Sequence, residues 1–81
     1  MRMIERTSQF KRDYKRELKS DARLDKYFIP VITDLANDIA LAPHLKDHPL
    51  TSNWNDHREC HIKPNLLLIY RKPNEGTLHL V

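Results

Sequence analysis

Leu66-Leu67-Leu68-Ile69-Tyr70 is the densest apolar run in the chain, and turn residues close on it from both sides: Pro64-Asn65 before it, Pro73-Asn74-Glu75-Gly76 after it. A short apolar run between such punctuation reads as a strand. The segments beyond each turn have the same character, so strands are expected at residues 57–63, 66–72 and 77–81. Connections this short make consecutive strands antiparallel neighbours. The C-terminal part of the chain is therefore a meander, and the N-terminal part must cover one of its faces.

That cover is legible as a helical hairpin. Phe10, Tyr14 and Leu18 recur every four residues among Lys11, Arg12, Lys15, Arg16 and Lys19, with Thr7 or Ser8 available as the cap. After Ser20-Asp21, the positions Leu24, Tyr27, Phe28, Val31, Ile32, Leu35 and Ile39 keep a helical period up to Ala42-Pro43. Pro30 lies inside this second run and predicts a kink, or a helix that begins near Ile29. Met3, Ile4 and Thr7 suit a short N-terminal strand. Residues 44–56 read as an ordered loop with Trp54 as its anchor in the core. The expected fold is α+β, a short first strand and a two-helix hairpin packed on an antiparallel sheet.

With 81 residues, residues 1–81 make a single domain, and a charged content of 31% against 40% hydrophobic is that of a chain that folds. The net charge of +3 favours an anionic partner such as RNA or an acidic protein. Cys60 is the one cysteine, so no internal disulfide forms. No apolar stretch approaches the ~20 residues that span a bilayer, and the start lacks the apolar segment of a signal peptide. A cytoplasmic location with no membrane partner is the expectation.

Side chains alternate along a strand, so His57, Glu59, His61 and Lys63 share one face while Arg58, Cys60 and Ile62 share the other. The first of these faces is wholly polar or ionisable. With helices on the opposite side, it becomes a groove floor on which a charged substrate can lie.

At these residues the chain resembles the small bacterial endoribonuclease toxins of the RelE superfamily, in its YafQ-like branch. The likeness rests on Lys46-Asp47-His48-Pro49-Leu50, on Trp54, Arg58 and His61, on Pro64, and on Leu67-Leu68-Ile69-Tyr70. It extends to the order of strand, two helices, loop and antiparallel strands. The resemblance implies a ribosome-dependent mRNA interferase of a type II toxin–antitoxin system, restrained by a cognate antitoxin and cutting mRNA without a metal or any other cofactor. It places catalytic roles on His48 and His61. Asn65 stands where the family has an acidic residue, and Leu66 where it has a tryptophan. Relatives continue past the last strand with a further histidine and a phenylalanine, so a missing C-terminal segment beyond Val81, with activity impaired by its loss, is the expectation.

RNA carries its own nucleophile in the ribose 2′-hydroxyl. Cleavage then needs a base for that proton, a cation for the crowded phosphate and an acid for the leaving oxygen. Histidine serves the first and last, with an unperturbed pKa of about 6.5. His48 and His61 form the leading pair, their acid and base roles unassigned, with Asn65 able to hydrogen-bond. Lys46, Arg58 and Lys63 are the candidates for phosphate contact, Arg58 the weakest because alternation turns it from His61. Asp47 either orients His48 or caps the local turn. His44, His57 and His79 are read as surface residues, with His79 the exception if it faces the groove.

Two other readings compete with this one. In one, the chain is a catalytically inactive or truncated toxin that keeps antitoxin and ribosome binding. In the other, His57, Cys60 and His61 bind zinc, which requires a helix at this segment; on a strand Cys60 points away.

Overall fold

The computed structural model describes residues 1–81. In chain order it has β1 (Met3–Arg6), α1 (Ser8–Ser20), α2 (Leu24–Ala36), β2 (His48–Pro49), β3 (Arg58–Lys63), β4 (Leu66–Asn74) and β5 (Thr77–Leu80), with single 3-10 turns at Pro43–Leu45 and Ser52–Trp54. The five strands form one sheet in the order β1-β5-β4-β3-β2. The meander β3-β4-β5 is antiparallel, as its short turns require. β1 instead runs parallel to β5, so the sheet is mixed and not wholly antiparallel.

Thr7 caps α1 by accepting a hydrogen bond from the Phe10 amide at 3.0 Å. Three aromatic rings then meet across the hairpin, with Tyr14 and Phe28 4.9 Å apart and Phe10 5.8 Å from each. α2 starts at Leu24, so the later start near Ile29 is not adopted. Pro30 forfeits only the bond to the Lys26 carbonyl, while Leu24, Phe28, Val31, Ile32, Leu35 and Ala36 all become buried along the same face. The helix ends earlier than its apolar period suggests. Asp38 takes a left-handed conformation (φ 58°) and Ile39 donates back to the Asp34 carbonyl at 2.8 Å, which closes the last turn and leaves Ile39 exposed. Lys72 and then Arg2 hold the Asp38 carboxyl down to about 2, tying this helix end to β4 and to the residue before β1.

The helices cover one sheet face. From that face Cys60 and Ile62 of β3, Leu68 and Tyr70 of β4, and Leu78 and Leu80 of β5 enter the core, every second residue in each strand. Each leucine or isoleucine among them contributes roughly 1.5–3 kcal/mol by leaving water. Trp54 is not the core anchor its hydrophobicity suggests. It is 44% exposed and stands edge-on to His57 at 4.9 Å between ring centres.

Cys60 has no solvent contact, and burial pushes its thiol up to about 12, with the charges of Asp47 and Glu59 adding to the shift. A thiol reagent at pH 8 is expected to find no reactive cysteine in the folded chain and one per chain after unfolding. Stoichiometric labelling of the native protein would contradict this packing.

Candidate active site

The Asp47-His48-Pro49-Leu50 stretch is not a free loop. His48 and Pro49 pair with Glu59 and Arg58 of β3, and the Leu50 amide donates to the His57 carbonyl at 2.9 Å. This makes β2 an edge strand, a place where proline is tolerated because no neighbour needs its missing N–H. Asp47, the residue just before β2, turns to the core side of the sheet, where it meets Tyr70, while His48 turns to the open face beside His61.

On the open face the rings of His48 and His61 come to 6.1 Å between centres, inclined at 46°. Nδ1 of His48 lies 2.6 Å from the Lys46 carbonyl oxygen. A carbonyl only accepts, so Nδ1 carries the proton and donates, and Nε2 is turned to the open face. Lys46 presents that carbonyl from a left-handed backbone (φ 51°). Nε2 of His48 is 3.5 Å from Oε1 of Glu59, the residue directly across the strand pair.

Beneath the sheet, Asp47 is gripped from two sides. Its Oδ1 accepts a hydrogen bond from the Tyr70 hydroxyl at 2.6 Å and from Nε of Arg58 at 3.1 Å. Tyr70 is almost wholly buried, and burial first, with the Asp47 carboxylate beside it, pushes its phenol above the ordinary range. Asp47 thus neither caps a turn nor touches the imidazole; it fixes the backbone that carries His48.

The basic residues divide by their partners. Arg58 is engaged with Asp47 on the side away from His61, and Lys63 reaches Asp21 of the helical hairpin at 3.1 Å. Lys46, with His44, His61, Ile62, Lys63 and Pro64, lines an open concavity of about 380 Å³ beside the paired rings. His44 therefore belongs to this basin, although as a single loop histidine it gives no sequence signal. Asn65 is exposed on the β3–β4 turn and is not part of this lining. His57 is held by Asp56 at 2.7 Å, and His79 by Arg71 at 3.4 Å.

Glu59 is the site residue that the reading for catalysis passed over. The signal was present, since alternation places it on the face of His61. Donor atoms of His48, Glu59 and His61 all lie within 4.8 Å of one another, a spacing open to a metal ion. The set His57, Cys60 and His61 is not assembled, because Cys60 faces the core from β3.

A mixed five-stranded sheet backed by a helical hairpin is the RelE-like fold, and on its open face this chain carries two imidazoles. The chain belongs to the YafQ family, described as bacterial toxins of type II toxin–antitoxin systems, which matches residues 2–81. The mRNA interferase toxin YafQ of Escherichia coli (strain B / BL21-DE3) is 34% identical over 70 residues, 86% of this chain and 76% of that protein. A crystal structure of a metal-bound toxin from Helicobacter pylori is 45% identical with a TM-score of 0.90, covering 100% of this chain and 90% of that one. YafQ in the Escherichia coli DinJ–YafQ complex is 33% identical with a TM-score of 0.77, covering 99% of this chain and 88% of that one. No helix here is long and apolar enough to cross a membrane.

Proposed function

We propose that this chain is the toxin of a type II toxin–antitoxin pair and an endoribonuclease that cuts mRNA on the ribosome. The observation that carries this reading is the convergence of His48 and His61 on the open sheet face, 6.1 Å apart and beside the basin that Lys46 lines. A scissile phosphate between two rings at that separation is within hydrogen-bond reach of a nitrogen from each. One imidazole takes the 2′-hydroxyl proton as that oxygen bonds to phosphorus. The other gives a proton to the 5′-oxygen as its bond to phosphorus breaks. Lys46 supplies charge to the phosphate, and the exposed basic face of α1, including Lys11 and Lys15, suits ribosomal RNA phosphates. The related YafQ in complex with DinJ supports a protein antitoxin as the restraining partner.

Cleavage by this route leaves a 2′,3′-cyclic phosphate upstream and a 5′-hydroxyl downstream. Downstream fragments from mRNA-programmed ribosomes are therefore expected to accept a labelled phosphate from polynucleotide kinase without prior dephosphorylation. Fragments that need dephosphorylation first would overturn the mechanism. The second reading, binding without cleavage, draws on Asn65, which cannot act as an acid; it would show as ribosome association with the mRNA intact.

A further inference from the structure

We propose that Trp54 and Arg71 form a second nucleotide subsite on the open face, which takes the base and the phosphate of the RNA residue next to the cleaved link. The proposal rests on the catalytic reading above and extends it from one phosphate to the strand that carries it.

Strand pairing sets this subsite beside the imidazoles. His48, Glu59 and Ile69 stand opposite one another on β2, β3 and β4 and make one row across the sheet. Arg71 and His79 face each other on β4 and β5 in the next row, two residues or roughly 7 Å further along β4. Their neighbours Tyr70, Leu78 and Leu80 are buried under the helices, so alternation leaves Arg71 and His79 on the open face. Asp56, His57 and Trp54 continue the row past β3.

These side chains are held in place by one another. Arg71 donates from Nη1 to Oδ2 of Asp56 at 3.0 Å and from Nε to Nδ1 of His79 at 3.4 Å. The other Asp56 oxygen accepts from Nδ1 of His57 at 2.7 Å, and the His57 ring stands at 78° to the indole, 4.9 Å between centres. The guanidinium is thus fixed with its Nη2 amino group uncommitted. His79 accepts at Nδ1, so its proton sits on Nε2 and is a second donor beside Arg71. The indole, 44% exposed, offers a face to which nothing in the chain is matched. An unstacked base lying on an aromatic ring while its phosphate meets a guanidinium is how single-stranded RNA is gripped, and this row supplies both parts.

Single-turnover cleavage on programmed ribosomes tests the subsite as a cycle of two changes. With an abasic residue placed on each side of the scissile link in turn, one of the two mRNAs is expected to be cut about 5–150-fold more slowly by the wild-type chain, and Trp54→Ala should lose a similar factor on intact mRNA. The two changes together should cost no more than one, because each removes the same stack. Trp54→Phe keeps a stacking face and should recover most of the rate. Arg71→Ala is expected to slow cleavage roughly tenfold or more, with thermal melts showing that every variant remains folded. A wild-type rate in Trp54→Ala or Arg71→Ala, or losses from the abasic residue and Trp54→Ala that multiply, would overturn the subsite while the catalytic reading survives. Trp54 is the one tryptophan in the chain, so an RNA trinucleotide methylated at every 2′-oxygen, which cannot be cut, should quench its fluorescence, and Arg71→Ala should weaken that binding tenfold or more. A chain that never cleaves mRNA removes the catalytic reading, and this titration then decides the subsite by itself: unquenched fluorescence overturns it.

Discussion

Replacing His61 with alanine is expected to slow mRNA cleavage about 10²–10⁴-fold, the contribution of a positioned acid or base. The fold should hardly notice. His61 sits on the face opposite the core, half-buried, and a substitution away from buried contacts stays within about 0.5 kcal/mol. Losing a side chain from the core is different: Leu78→Ala, at a position with no solvent exposure, costs roughly 2–5 kcal/mol and reduces activity only by unfolding the chain. Initial rates on programmed ribosomes, read beside thermal melts, separate the two cases. His48→Ala should match His61→Ala, and the double variant should be little worse than either, because groups that act as a unit lose the same step once. The pH–rate profile assigns the roles: whichever variant loses the rising limb has lost the base. A His61→Ala chain that cleaves at near wild-type rate would remove that imidazole from the chemistry.

The parts of this fold that sequence makes legible are those governed by local periodicity. The meander follows from alternation and its two short turns, and alternation alone puts Glu59, His61 and Lys63 on the face opposite Cys60 and Ile62. β2 escapes such reading because two residues, one a proline, carry no period; it exists through its pairing with β3. That pairing is what converts a loop histidine into a partner for His61. The parallel placement of β1 against β5 is invisible for a related reason, since nothing within Met3–Arg6 states which edge it will join. Trp54 misleads in the other direction. Its apolar area predicts burial, yet the core is filled by α1, α2 and the inward strand residues, and the indole is left against the edge of His57. Alternation places Glu59 on the open face, but only the pairing of β2 with β3 sets His48 opposite it, 3.5 Å from its carboxylate.

Asp47→Ala is expected to destabilise the chain by about 1–3 kcal/mol, the cost of leaving the buried Tyr70 hydroxyl without an acceptor. In a domain of this size that is a fall in melting temperature of roughly 5–20 °C. The Arg58 contact adds little, since its guanidinium is 44% exposed and water replaces the lost partner. Tyr70→Phe removes the hydroxyl itself, so Asp47→Ala in that background should cost much less than in the wild type, and the coupling between the two measures the buried bond. The alkaline limb carries the sign. The folded phenol titrates above its ordinary value, so its stabilisation is complete below about pH 10 and fades as pH rises toward the folded value. The stability gap between wild type and Tyr70→Phe should therefore be constant through neutrality and shrink above pH 10. Asp47 is argued to place His48 without touching it, so Asp47→Ala should also lower cleavage at temperatures where the chain is still folded. Asp47→Asn keeps an oxygen for the Tyr70 hydroxyl and should recover most of both properties. Wild-type melting and wild-type cleavage in Asp47→Ala would show that β2 is held by its pairing with β3 alone.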